Sequence, residues 1–245
     1  MLATSTSGAT STVTFTVTVE DVEDPVAVCQ DITVQLDASG NASITTGDID
    51  NGSADNCTAV ILSLDQTAFT CADIGANTVT LTGIDGSGNT TSCTATVTVE
   101  DNIDPVMVCQ DITVGLDASG NASIVPADVD NGSADACSAL TLSLDVSTFT
   151  CADLGANTVV LTGIDADGNS ASCSATVTVE DNVAPTMVCQ DITVTLDATG
   201  NASIVAADID NGSSDACSAV TLSLDITAFT CAEIGANTVT LTGTD

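Results

Sequence analysis

An acidic motif with the pattern D-x-D-N-G-x-x-D occurs three times in the chain, at intervals of 80 residues. Carboxylate and amide oxygens at alternate positions of a glycine-bearing loop suit the oxygen-only shell of a hard cation. The loop is shorter than an EF-hand loop and lacks its closing glutamate, so the match is partial. The alternative is a solvated turn in which Asp and Asn side chains cap their own backbone. The pattern predicts a calcium site in each copy, with the candidate ligands Asp48, Asp50, Asn51, Asp55, Asp128, Asp130, Asn131, Asp135, Asp208, Asp210, Asn211 and Asp215.

A second acidic cluster precedes each copy, as EDVEDP (20–25), EDNIDP (100–105) and EDNVAP (180–185). Calcium bound there would stiffen a string of domains. The third copy has Ala184 where the others have Asp24 and Asp104, which argues against a common site. We therefore favour an acidic linker stiffened by proline.

The chain has 11 cysteines, and they also recur with a period of 80 residues. They form no C-x-x-C pair and have no histidine beside them, which disfavours zinc. Regular, wide spacing predicts disulfides and therefore an extracellular location. The four series are Cys29, Cys109 and Cys189; Cys57, Cys137 and Cys217; Cys71, Cys151 and Cys231; and Cys93 and Cys173.

Composition excludes several classes of function. The 245 residues include 34 Asp and Glu but no Lys, Arg or His, so the formal charge is −34. Such a chain repels nucleic acid, and no apolar run is long enough for membrane insertion. It lacks a histidine base, a lysine nucleophile and an arginine clamp, and we predict that it is not an enzyme. Repeated N-x-S/T sequons would accept covalent glycans.

The elements that carry these residues are β-strands. The segments DITVQL, AVILSL, NTVTLTGI and CTATVTV alternate with period 2, and turn signals such as DASGN and DGSGN separate them. About seven short strands in each 80-residue unit predict an all-β fold of tandem immunoglobulin-like sandwiches stapled by disulfides. The predicted organisation is a lone strand and linker (1–23), repeat 1 (24–103), repeat 2 (104–183) and a third repeat without its last strand, repeat 3 (184–245).

Two segments carry a family resemblance. CQDITVQLDASGNASIT (29–45) and GANTVTLTGIDGSGNTTSCTATVTV (75–99) resemble the hyalin-repeat-like, immunoglobulin-like modules of bacterial surface and secreted proteins, especially of Bacteroidota. The resemblance covers essentially the whole chain, three times over. It implies a spacer, an adhesin stalk or a binding module, and it brings no catalytic residues.

Four cysteines per repeat allow three pairings. In an immunoglobulin-like sandwich part of the first strand runs parallel to the last strand, so the first and fourth cysteines of a repeat can face one another. The second and third would then close a short loop. We favour the pairs Cys29–Cys93, Cys57–Cys71, Cys109–Cys173, Cys137–Cys151 and Cys217–Cys231, with Cys189 unpaired.

The lone strand STVTFTVTVE (11–20) has the pattern of a last strand, and repeat 3 lacks one. We predict that residues 11–20 of one copy complete repeat 3 of the next, with Val13, Phe15, Val17 and Val19 at the contact. A head-to-tail contact that does not close makes a filament. The predicted function is a structural subunit of an extracellular bacterial filament or surface stalk, a homopolymer of this chain.

Two alternatives compete with this prediction. In the first, the chain is a window cut from a longer tandem array, and residues 1–21 are the remnant of a preceding unit. In the second, it is a fragment of a calcium-dependent surface adhesin that binds cells or glycans.

Overall fold

The computed structural model describes residues 3–4 and 6–245, with side chains from residue 6 onward. Residues 1, 2 and 5 of the predicted N-terminal segment 1–23 lie outside the described residues. The chain divides into two compact units, Met1–Ile103 and Asp104–Asp245, and each is described by itself. Among the described residues, no helix has both the length and the apolar character needed to cross a bilayer.

The first unit holds a small N-terminal hairpin and one sandwich. The hairpin pairs β1 (Ala3–Thr4) with β2 (Thr10–Ser11). The sandwich has one sheet in the order β3-β8-β7-β5 and a second sheet made of β4 and β6. Its elements are β3 (Ile32–Gln35), β4 (Asn41–Ser43), α1 (Thr46–Ile49), β5 (Ile61–Leu64), β6 (Ala68–Thr70), a 3₁₀ helix (Cys71–Asp73), β7 (Gly75–Ile84) and β8 (Thr90–Glu100).

The two longest strands form the centre of this sandwich because their side chains alternate between core and surface. β7 and β8 pair antiparallel along their whole length, and β8 also pairs parallel with β3. Inward positions are fully buried, as at Val79, Val97 and Val99, while the intervening threonines are partly exposed. The fold is therefore all-β, with the parallel first-to-last strand contact of an immunoglobulin-like sandwich.

The turn between β7 and β8 explains the DGSGN signal. The buried Asp85 carboxylate accepts hydrogen bonds from the backbone N–H groups of Ser87 (2.9 Å) and Asn89 (2.8 Å). It also accepts one from the Asn89 side-chain amide at 2.7 Å. Gly88 has φ +95°, which a residue with a side chain rarely adopts. The aspartate thus satisfies the turn backbone and sets the hairpin register.

The second unit begins with a sandwich of the same topology, with sheet order β11-β13-β14-β9 and a second sheet of β10 and β12. Its core is formed by the same positions as in the first unit, including Phe149, Val159 and Val177. The elements are β9 (Ile112–Gly115), β10 (Asn121–Ser123), α2 (Pro126–Val129), β11 (Thr141–Leu144), β12 (Thr148–Thr150), a 3₁₀ helix (Cys151–Asp153), β13 (Gly155–Ile164) and β14 (Ser170–Glu180).

The last part of the second unit, repeat 3, keeps only some of these elements. Residues 192–195 and 235–240 form no strand there, although their equivalents in repeats 1 and 2 lie in strands that pair with the last strand. The buried core shrinks to Ile204, Ile209 and Phe229. The elements are β15 (Asn201–Ser203), α3 (Ala206–Ile209), β16 (Thr221–Leu224), β17 (Ala228–Thr230), a 3₁₀ helix (Cys231–Glu233) and β18 (Leu241–Thr244).

The disulfides between first and fourth cysteines are present, as Cys29–Cys93 and Cys109–Cys173, each with a Cα–Cα distance of 5.9 Å. They follow from the parallel pairing of the first and last strands. Cys189 has a free thiol, as predicted.

The predicted pairs between second and third cysteines are wrong. Cys57 and Cys231 have free thiols, and Cys151 is bonded to Cys217. The bridges Cys57–Cys71, Cys137–Cys151 and Cys217–Cys231 therefore do not form.

The reason is the position of these cysteines at opposite ends of each sandwich. Thr58, beside Cys57, accepts a hydrogen bond from Gly86 in the β7–β8 turn at 2.8 Å. Cys71 lies at the other end, four residues before the start of β7. A ten-residue strand spans about 30 Å, whereas a disulfide needs Cα atoms within about 7 Å. The 13 intervening residues form strands that run along the sandwich and do not close a local loop.

Candidate functional site

Repeat 3 contains an open groove with a volume of about 600 Å³, lined by both apolar and polar side chains. Ile192 and Val194 line one side, and Asn237 and Val239 line the other. The buried ring of Phe229 lies at its floor. Two backbone segments that belong to no strand therefore line opposite sides of this groove.

The equivalent place in repeat 2 is filled by β14. Val177 pairs with Ile112 on one side and with Asn157 on the other. Val177 has 0% of its side chain exposed and Val179 has 2%. The groove of repeat 3 thus has the position and the lining of a binding site for one β-strand.

Two hydrogen bonds from the rest of repeat 2 hold β14 in place, and the residues that make them, Asp111 and Leu116, have equivalents in repeat 3. The Asp111 carboxylate accepts a hydrogen bond from the Thr176 backbone at 2.7 Å. The Leu116 N–H group donates to the Glu180 carbonyl at 2.9 Å. The equivalents in repeat 3 are Asp191 and Leu196, and both line the groove. Sequence reasoning missed Asp191, although its identical setting in each C-Q-D-I-T segment could have identified it.

The predicted contact residues of the N-terminal strand lie on the surface. The exposed fractions are 80% for Val13, 76% for Phe15, 69% for Val17 and 90% for Val19. Residues 12–20 belong to no strand, so their backbone groups have no sheet partner. An alternating apolar segment of this kind can add to an open sheet edge.

The base of this segment is tied to repeat 1. The Asn89 side-chain amide donates to the Asp21 carbonyl at 3.3 Å, and the Asn56 amide donates to the Glu23 carboxylate at 2.6 Å. The point at which the exposed segment leaves the sandwich is therefore set by loops of repeat 1.

A disulfide bond joins repeats 2 and 3 at their junction. Cys151, the first residue of a 3₁₀ helix, is bonded to Cys217 with a Cα–Cα distance of 5.0 Å. Cys217 follows the turn made by Asp215, which accepts a hydrogen bond from the Cys217 N–H at 2.8 Å. Adjacent repeats within this unit are thus joined by a disulfide that sequence reasoning did not find.

Acidic side chains also gather at these junctions. In the first unit, ligand atoms of Asp21, Asp55 and Cys57 lie within 4.8 Å of one another. In the second unit, carboxylate oxygens of Asp181, Asp215 and Asp245 do so. We call these the junction acids. Each group joins an acid of the predicted linker cluster with the last acid of the predicted D-x-D-N-G-x-x-D motif.

Local hydrogen bonds and charge shift the protonation of these groups. Backbone N–H groups of Thr58 and Cys57 lower the pKa of Asp55, and those of Cys217 and Ser218 lower the pKa of Asp215. Desolvation, and next the negative charge of Asp21, raise the pKa of the Cys57 thiol. With no Lys, Arg or His in the chain, the junction acids have no cationic side chain to neutralise them.

The other predicted metal ligands have local structural roles. Asp48 accepts hydrogen bonds from the N–H and hydroxyl groups of Thr45 at 2.6 and 2.7 Å, which caps α1. Asp50 accepts one from the Ser53 backbone at 2.8 Å. Asn51 donates its backbone N–H to Val28. In the described part of the chain, neither Asp48 nor Asp50 lies within a close group of three acids or thiols.

The second and third copies of the motif behave in the same way. Their first acids cap α2 and α3 through backbone N–H groups, and their second acids bind the serine three residues later. Their asparagines donate backbone N–H groups to Val108 and Val188, and Asp135, like Asp215, accepts from the N–H groups two and three residues later. The residues concerned are Asp128, Asp130, Asn131, Asp135, Asp208, Asp210 and Asn211.

Comparison with solved structures gives distant neighbours. No family model matches the chain, and no curated protein matches it. The resemblance to hyalin-repeat-like modules therefore stays a prediction. EC1-2 of human mucin-like protocadherin is 14% identical over 64% of this chain and 100% of that chain, with a TM-score of 0.34.

Two further solved structures give similar values. EC1-2 of human protocadherin-24 is 10% identical over 64% of this chain and 99% of that chain, with a TM-score of 0.38. The protocadherin gamma-B4 extracellular domain is 17% identical over 83% of this chain and 40% of that chain, with a TM-score of 0.36. These similarities are weak, and the assignment of an all-β sandwich fold rests on the strand pairing of the chain itself.

Proposed function

We propose that this protein is the structural subunit of an extracellular filament or surface stalk, in which residues 11–20 of one copy complete repeat 3 of the next. The groove in repeat 3 is the observation that carries the proposal. It lies where β14 lies in repeat 2, and a segment with the same alternating pattern as β14 is exposed on the same chain.

The register follows from repeat 2, where β14 occupies the equivalent groove. Seated in that register, Val17 lies between Ile192 and Asn237, and Val19 lies opposite Val194. Burying the side chains of Phe15, Val17 and Val19 stabilises the joint by about 1.5–3 kcal/mol each, before the cost of ordering the strand. The Thr16 N–H would meet the Asp191 carboxylate, as Thr176 meets Asp111.

Repetition of this contact makes a linear polymer. The donor segment and the acceptor groove are formed by different residues of one copy, so the contact is heterologous and makes an open filament when the rotation from one copy to the next does not close a ring. Disulfide bonds suit an oxidising location outside the cytosol, and the absence of Lys and Arg leaves trypsin-like proteases without a cleavage site.

Light scattering and electron microscopy of purified chains test the proposal. The full chain should form filaments, and a chain lacking residues 1–20 should stay monomeric. Val17→Asp places a charge in the groove and should abolish assembly. Thr14→Asp adds the same charge on the outward face, since the equivalent Thr94 is exposed, and should assemble like the parent.

Other results would point elsewhere. A full chain that stays monomeric removes strand donation, and the groove is then better explained by further chain after Asp245 in a longer protein. Equal loss of assembly in Val17→Asp and Thr14→Asp would point to general charge repulsion. Cell or glycan binding without any filament would favour the adhesin.

We also propose that the junction acids bind calcium. The observation that favours this is the convergence of the Asp181, Asp215 and Asp245 carboxylates, which offers oxygen ligands to a hard cation and has no cationic side chain to balance it. Cys57 makes the group of the first unit less suited to calcium, because thiolates prefer softer metals. Calcium would act at the joint between repeats and support the filament.

A further inference from the structure

We propose that each strand-donation joint is sealed by a disulfide between Cys231 of one copy and Cys57 of the next. The inference rests on the proposed function, because strand donation is what brings these two thiols together. Both thiols are free and exposed in the structure.

The template for this bond is the disulfide between repeats 2 and 3. Cys151 and Cys231 are equivalent by the 80-residue period, and so are Cys57 and Cys217. Cys151 and Cys217 are bonded across the junction that β14 leads into. The proposed joint would therefore reproduce, between two copies, a bond that already exists within one chain.

The half-site at Cys231 already has the required form. Its sulfur lies 3.9 Å from the Gly200 carbonyl oxygen, and the bonded Cys151 sulfur lies 3.8 Å from that of Gly120. A Cβ atom added to Gly200 would lie 2.9 Å from the Cys231 sulfur, so the thiol packs directly over this glycine. The same is true of Gly120, where an added Cβ would lie 2.5 Å from the Cys151 sulfur.

The half-site at Cys57 matches Cys217 in the same detail. The Cys57 N–H donates to the Asp55 carboxylate at 2.8 Å, as the Cys217 N–H does to Asp215. Asp55 lies close to Asp21, and Asp215 lies close to Asp181. Asp21 and Asp181 each follow shortly after the strand-like segment, residues 11–20 or β14. The position of the cysteine relative to the incoming strand is therefore the same in the two places.

The spacing along the chain is the same at the two places. Residues 11–20 lie as far before Cys57 in the sequence as residues 171–180 of β14 lie before Cys217. Seating residues 11–20 in the register of β14 consequently brings Cys57 to Cys231 of the acceptor copy. Cys189 does not compete, because Val13 takes the place of its partner cysteine.

The bond forms by thiol–disulfide exchange with a small-molecule disulfide as the oxidant. The thiolate of one cysteine attacks the oxidant and displaces one small thiol, which leaves a mixed disulfide. The second cysteine, as its thiolate, attacks the protein sulfur of that mixed disulfide and displaces the other small thiol. Two protein thiols are oxidised to one disulfide, and the oxidant is reduced to two small thiols that take up the two protons.

Non-reducing gel electrophoresis tests the inference on the full chain. Filaments treated with oxidised glutathione are alkylated, heated in detergent and separated without reductant. We expect a ladder of covalent oligomers that collapses to monomer when reductant is added. Cys57→Ser and Cys231→Ser should each abolish the ladder, whereas Cys189→Ser retains both thiols and should give it.

A mixture of the two single variants gives the sharpest result. Cys57→Ser chains still carry Cys231, and Cys231→Ser chains still carry Cys57, so one bond can form between them and none beyond it. The mixture should give a covalent dimer in place of a ladder. Mass spectrometry of an acid-specific digest should identify the peptide pair that contains Cys57 and Cys231.

The failure of this inference and the failure of strand donation can be told apart. Filaments of the full chain that yield only monomer after treatment with oxidised glutathione would refute the disulfide and leave strand donation intact. A ladder that persists in Cys57→Ser or Cys231→Ser would also refute it. Absence of filaments from both the parent chain and the Cys57→Ser variant, with the intrachain disulfides intact, would remove the proposed function on which the disulfide depends.

Discussion

Val17 and Val177 should have the same energetic role, one in binding and the other in folding. Val177 is fully buried in β14, and in the proposed joint Val17 would occupy the equivalent position of repeat 3. Val177 pairs with Ile112 and Asn157, so Val17 in the same register would pair with their equivalents in repeat 3, Ile192 and Asn237. One substitution, Val→Ala, can therefore be compared between a covalent strand and a donated strand.

The expected magnitude follows from the two methyl groups that the substitution removes. Each buried methyl group contributes about 0.8 kcal/mol of transfer free energy, which gives about 1.6 kcal/mol. The cavity left behind raises this to about 2–3 kcal/mol where the site cannot collapse. Since 1.4 kcal/mol corresponds to a factor of ten, the dissociation constant of a Val17→Ala strand should rise roughly 15- to 150-fold.

Binding of synthetic peptides to the chain that lacks residues 1–20 measures this effect. The peptides are residues 11–20 of the natural sequence, its Val17→Ala form and, as the matched control, its Thr14→Ala form. Urea unfolding of the Val177→Ala chain measures the same substitution in the covalent strand, where the free energy of unfolding should fall by about 1.6–3 kcal/mol. The Thr14→Ala peptide should bind within about twofold of the natural one.

One result would refute the reasoning directly. If Val17→Ala binds as tightly as the natural peptide while Val177→Ala destabilises the chain, residues 11–20 do not occupy the groove in this register. Equal weakening by Val17→Ala and Thr14→Ala would show that the strand has no defined inward face.

Two further predictions concern the acidic residues. Calcium at 100 times its dissociation constant should raise the free energy of unfolding by about 2.7 kcal/mol. The measurement compares the thermal unfolding midpoint in calcium with the midpoint in chelator. Asp215→Asn should lose this increase, whereas Asp197→Asn, which lies outside the junction acids, should keep it. Burial opposes ionisation of Asp165, but hydrogen bonds from the side chain and backbone of Asn169 lower its pKa below the ordinary value. A lowered pKa stabilises the fold above the ordinary carboxyl value of about 3.9 and loses this effect as the pH falls through the folded pKa. The urea midpoint of the parent should therefore exceed that of Asp165→Asn most near pH 6, and this difference should shrink as the pH falls through the folded pKa. A difference that does not change with pH would contradict the role of the ionised carboxylate.

The strands could be predicted from the sequence because their information is local. Alternating Val and Thr in residues 90–100 specify which side chains face inward, and the structure buries Val97 and Val99 accordingly. The pairing of Cys29 with Cys93 needed one further premise, the parallel contact of first and last strands, and the structure has that contact. A four-residue helix was not predicted at Thr46–Ile49, since one turn is too short to show a helical period.

The candidate metal ligands could be predicted only as residue types. The motif grouped Asp48, Asp50 and Asp55 because they are close in sequence, but turns and helix caps direct the first two carboxylates to nearby backbone and hydroxyl groups. Asp55 instead joins Asp21, which sequence analysis had placed in a different cluster. Side chains 34 residues apart were brought together by the return of the chain to one end of the sandwich.

The amino-acid sequence by itself determined the repeat, the strands, the inward and outward faces and the negative charge, because each depends on residue type and near-neighbour spacing. The tertiary structure decided which distant residues meet. Cys151 bonds to Cys217 and not to Cys137, because strands that run the length of a sandwich separate the second and third cysteines of a repeat and bring the ends of adjacent repeats together. The open groove has the same origin: residues 235–240 have a strand-like sequence, but they form a sheet only when a neighbouring strand accepts and donates their hydrogen bonds.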